Sequence, residues 1–197
     1  MRRLLSLSAL ALIVALAACA SQKEPADAAI KSAQSAFSAV SAEAQKYVPD
    51  QAKAVQDGLT AAQTAFTNGD YASALTQAQA LPARITALGA AISAKKAELT
   101  TQWNTMSAGI PKLVEALSSR VDMLTKSKGL PKGITKETVT AAQSGVATAK
   151  QDWQAATSAA SSGDLATAMR QANDVKTRVV GLMKSLNMTV PPGVGGE

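Results

Sequence analysis

The chain predicts an all-α protein, an antiparallel helical bundle, on three observations. Alanine, the strongest helix former, supplies roughly a fifth of the 197 residues. Apolar residues recur at alternating spacings of three and four over most of the length, which places them on one narrow stripe of a helix. The interruptions have the residue types that end and restart helices: Val48-Pro49-Asp50, Asn68-Gly69-Asp70, Ser107-Ala108-Gly109 and Ser162-Gly163-Asp164.

The first predicted helix carries Ala26, Ile30, Ala33, Phe37, Val40, Ala44 and Tyr47. It ends at Val48, because the residue before a proline is pushed out of the helical region, and Asp50 is placed to cap the second helix. That second helix carries Ala52, Val55, Leu59, Ala62 and Phe66 and stops at Asn68-Gly69-Asp70, where glycine suits a left-handed position and aspartate can cap the next start. A third, long helix runs from Tyr71 through Leu75, Ala78, Ile85, Leu88, Ile92, Leu99 and Trp103 to Met106, with Pro82 expected to kink it. After Ser107-Ala108-Gly109 a fourth is expected, with Pro111 in its first turn and Leu113, Leu117, Val121 and Leu124 on its stripe. Beyond Lys128-Gly129-Leu130-Pro131-Lys132-Gly133, a fifth carries Val139, Ala142, Val146, Ala149, Trp153, Ala156 and Ala160. The sixth carries Leu165, Ala168, Ala172, Val175, Val179, Leu182 and Leu186, and residues 188–197 have no core pattern and read as a loose tail.

The two halves resemble each other. A shift of 94 residues places Gly69-Asp70 on Gly163-Asp164, and Gln77, Arg84 and Leu88 on Gln171, Arg178 and Leu182. The expectation is a duplicated three-helix unit, the copies spanning residues 26–107 and 110–187.

The N-terminus reads as an export signal. Arg2 and Arg3 precede an apolar run from Leu4 to Ala15, too short to cross a bilayer, and Leu16-Ala17-Ala18-Cys19 resembles the bacterial lipobox. That resemblance implies cleavage of residues 1–18, lipid on Cys19, and a short tether over residues 19–25. Two or three acyl chains make such anchoring effectively permanent. Ala20 after the cysteine resembles lipoproteins sent to the outer membrane, so the expected location is that membrane, on its periplasmic face.

Removing Arg2 and Arg3 leaves 18 basic against 14 acidic residues, a formal charge of +4. So dilute an excess gives no case for nucleic acid. With Cys19 the sole cysteine, no internal disulfide can form and the fold rests on its apolar core.

Tyr47-Val48-Pro49-Asp50, Leu59, Ala62, Gly69-Asp70-Tyr71, Ala74 and Ala78 together resemble an Ala-rich helical domain of unknown function found in bacterial outer-membrane lipoproteins, over roughly residues 24–90. The resemblance implies an envelope role. It departs in the second half, where Leu165 replaces Tyr71, and no OmpA-like peptidoglycan-binding domain follows.

Residue chemistry argues against an enzyme. The chain has no histidine, so the commonest general base and zinc ligand are missing, and the acids are scattered singly without a metal-loop spacing. No catalytic residue, metal site or cofactor is expected beyond covalent lipid on Cys19. Asp70 and Asp164 read as helix caps, Trp103 and Trp153 as stripe residues, and Tyr71 as packing beside its hairpin. The one suggestive cluster is Lys126, Lys128, Lys132 and Lys136, with no acid between Asp122 and Glu137. It suits lipid phosphates, anionic lipopolysaccharide, peptidoglycan or another anionic envelope polymer. The leading expectation is a non-catalytic scaffold or partner-binding module for an envelope protein, with polymer contact through the lysines as the alternative. Ala-rich seams also leave self-association open.

Overall fold

A computed structural model describes residues 22–191. The expected signal peptide and Cys19 lie outside the described residues, as do residues 192–197 of the tail. The fold is all-α: five helices and no strand among the described residues, namely α1 Lys23–Tyr47, α2 Pro49–Thr67, α3 Tyr71–Lys126, α4 Lys136–Ser161 and α5 Leu165–Ser185. The chain divides into two compact units between Lys95 and Lys96, within α3.

The five helices correct the expectation of six. Ser107-Ala108-Gly109 does not break the chain, and α3 continues through it and through Pro111 to Lys126. Side-chain burial outweighs local residue preference here. A mid-helix glycine costs about 1 kcal/mol and a proline about 3, while Ile110 and Leu113, both buried, each contribute about 1.5–3 kcal/mol on burial. Leu99, Trp103, Met106, Ile110, Leu113 and Leu117 follow one another at steps of four and three, so the stripe crosses the supposed loop without losing phase. The unit boundary accordingly falls near residue 95, earlier than the expected break at 107–109.

In the first unit, α1 and α2 are joined by the single residue Val48, whose N–H donates to Ala44 O at 2.8 Å. Pro49 opens α2 at a position where its missing N–H costs nothing, and this moves Asp50 into the first turn. Asp50 is therefore not the expected cap, and no side chain caps α2. α1 begins at Lys23, so Pro25 belongs to its first turn and not to a tether. Ala26 and Ile30 of α1, Ala62 of α2, and Ala74 and Ala78 of α3 form one core cluster, with Phe66, Tyr71 and Leu75 packed on it. Small side chains let the helices approach: a Cβ on Gly58 would stand 2.9 Å from Leu81 Cδ2.

The second unit has a bulkier core. Ile110, Leu117 and Val121 of α3 pack with Val139, Val146 and Ala149 of α4, and with Val175, Val179, Met183 and Leu186 at the α5 end. Trp103 and Trp153 stack on each other, ring centroids 5.4 Å apart and 12° from parallel, at the edge of this core. The expectation of a loose tail from residue 188 fails at its start, because Met188 and Val190 pack against the core.

Candidate functional site

The short hairpins use the same construction. Gly69 and Gly163 have φ of 80° and 82°, a backbone region glycine enters without strain. Asp70 Oδ1 accepts from Ser73 N at 3.0 Å, and Asp164 Oδ1 accepts from Thr167 N at 3.0 Å. Both aspartates are caps, as their place after glycine indicates. Hydrogen bonds from the Ser73 side chain and backbone hold the Asp70 carboxyl below its ordinary value. Tyr71 packs edge-on against Phe66 with centroids 5.2 Å apart, and the Lys23 ammonium lies 5.9 Å from the Tyr71 ring centroid.

The α3–α4 connection, residues 127–135, is built differently. Ile134 is buried and Leu130 packs on the second-unit core, so two apolar side chains pin the loop from inside. Ile134 N donates to Pro131 O at 3.1 Å, and Gly133 takes φ 85°. Thr135 caps α4, accepting from Thr138 N at 3.2 Å. Lys126, Lys128, Lys132 and Lys136 all remain exposed around this pinned loop. No ion pair holds any of the four among the described residues, although Lys136 neighbours Glu137. The Glu137 carboxyl is held below its ordinary value by its own backbone N–H first, then by Thr135, with Lys136 adding a smaller effect.

Two features here escape the sequence. Asn187 adopts φ 54° after the end of α5, and its side chain donates to Lys132 O at 3.4 Å. Arg120 of α3 donates from Nη2 to Leu186 O at 3.5 Å. These contacts bring the α5 C-terminus, with exposed Lys184 in its last turn, to the lysine loop. Met123, on the last turns of α3, is 62% exposed, the large hydrophobic residue left to solvent among the described residues.

Elsewhere the surface carries open grooves. One of about 620 Å³ between α1 and α2 is lined by amides and hydroxyls, including Gln34 and Gln63, which bond each other at 3.3 Å. Another, of about 500 Å³, holds the 3.2 Å ion pair of Asp152 with Arg178 between α4 and α5. A third, of about 390 Å³, lies beside Trp153, Val114 and Pro111. Among the described residues no three His, Cys, Asp or Glu side chains are grouped to hold a metal, and no helix is long and apolar enough to cross a membrane.

Compared with protein-family models, curated proteins and solved structures, the chain finds no match. The resemblance to outer-membrane lipoprotein domains therefore stands on its residues alone.

Proposed function

We propose that this chain is a non-catalytic, lipid-anchored envelope protein that acts as a scaffold or partner-binding module, held through Cys19 on the periplasmic face of the outer membrane. The observation that carries the reading is Leu16-Ala17-Ala18-Cys19 after a short apolar run, in a chain without histidine. The helical units support it by offering long exposed faces on which a partner can rest. Metabolic labelling with a palmitate analogue tests the anchor. The parent chain should incorporate label and Cys19→Ala should not; equal labelling of the two, or none in either, would end the reading.

A second reading, contact with an anionic envelope polymer through Lys126, Lys128, Lys132 and Lys136, is favoured by the exposure of all four around a pinned loop. Such contact weakens as ionic strength rises, whereas an apolar helix interface persists. Pull-down on cell-wall sacculi across a salt series separates the two.

A further inference from the structure

We infer that the end of the second unit formed by residues 123–136 and the α5 C-terminus docks on an anionic lipid surface, lysines on the phosphates and Met123 in the interfacial layer. The inference rests on the proposed lipid anchor, which keeps the chain at a membrane, and it competes with polymer contact for the same lysines.

The charge at this end exceeds what the fold needs. Lys126 and Lys184 lie in the last turns of α3 and α5, where a cation complements the helix dipole, so each has a structural role. Lys136 has none of that kind: it is the first residue of α4, where the dipole disfavours positive charge. Lys128 and Lys132 lie in the connection itself, outside any helix. Asn187, bonded to the carbonyl of Lys132 and following Lys184 by one turn, gathers the fifth lysine from a distant part of the sequence. Asp122 and Glu137 are the acids that border the group.

Met123 selects lipid over a sugar polymer. An exposed thioether one helical turn from Lys126 has nothing to gain from a hydrated polyanion. At a bilayer interface the same pair of chemistries is complementary, since lysine stems lie along apolar surface while their ammonium groups stay with phosphate. Pro131, exposed beside half-buried Leu130, extends the apolar contact. Because Leu130 and Ile134 already fix the loop, little ordering remains to oppose binding.

The test uses the full chain, recovered from membranes and reconstituted in vesicles. Met123→Cys carries an environment-sensitive fluorophore, and thiol stoichiometry reads the anchor separately: one reactive thiol per chain if Cys19 is lipidated, two if it is not. In vesicles containing phosphatidylglycerol the probe should shift to the blue, but not in pure phosphatidylcholine. High salt should abolish the shift. Lys126, Lys128, Lys132 and Lys136 all changed to glutamine should lower the docked-to-free ratio on the order of a hundredfold or more, with helix content unchanged by circular dichroism. No shift with phosphatidylglycerol overturns the inference. So does a shift equal in both vesicle types. Absence of a shift together with salt-sensitive retention on sacculi overturns it too, while leaving the polymer reading in place.

Discussion

The connection between α1 and α2 and the one between α3 and α4 sit at the two extremes of length in the chain's described residues. Val48 alone joins α1 to α2, whereas residues 127–135 join α3 to α4. The hairpins α2–α3 and α4–α5, by contrast, share the same glycine geometry and the same aspartate cap. A nine-residue loop held by buried Ile134 and half-buried Leu130, with lysines on its outside, is more than the topology requires. Closing a gap between antiparallel helices needs far less, as the first unit demonstrates. The cores differ in proportion: alanine makes up a larger share of the buried side chains in the first unit, and buried methionine occurs in the second.

The largest expected effect that would sharpen this comparison comes from the cores. Leu117→Ala in the second unit and Leu81→Ala in the first, both almost fully buried, should each cost about 2–5 kcal/mol. The two tryptophans both belong to the second unit, so denaturant titration followed by their fluorescence reads that unit, while helix content reads both. Leu81→Ala should move the helix-content curve and leave the fluorescence midpoint close to the parent. A midpoint displaced equally in both signals would show the units melting as one and break the comparison.

Next in size, Asp164→Ala should destabilise by about 1 kcal/mol through loss of the α5 cap. Gly109→Ala should go the other way. Nothing lies within 4 Å of the added Cβ, and the gain in helix propensity is up to about 1 kcal/mol. If Gly109→Ala lowers the melting temperature instead, α3 does not run continuously through this position.

The smallest effect concerns pH. The carboxyl of Asp70 is depressed by its bonds to Ser73, so its contribution is complete above the ordinary carboxylate range and is lost as the pH falls through the folded-state value. Asp70→Asn should flatten that acid-side slope slightly. An identical slope in the variant would mean the cap bond does not act in solution.

Much of the fold is legible in the sequence because helix stripes and caps are local. Spacing alone places Ala62, Ala78, Ala156 and Ala168, and residue type after glycine places Asp70 and Asp164. The expected helix start at Pro111 fails because Ser-Ala-Gly is weak punctuation against a continuous apolar stripe. The signal that decides it, unbroken phase from Leu99 to Leu117, is itself present in the sequence. Asp50 falls two positions past the cap position at Val48 because Pro49 takes the first helical place. The approach of the α5 C-terminus to the lysine loop is out of reach of any local pattern, since it depends on Asn187 and Arg120 closing contacts 55 and 66 residues apart.

Pro82 and Pro111 leave a trace in α3 beyond its sequence. Each lacks an amide hydrogen, so the carbonyls of Ala78 and Ser107 face no partner four residues on. Deuterium uptake should therefore be fastest in the turns around these two rungs and slowest around Leu88 and Leu117. Fluctuational opening of the longest helix would start from two fixed addresses, one in each unit.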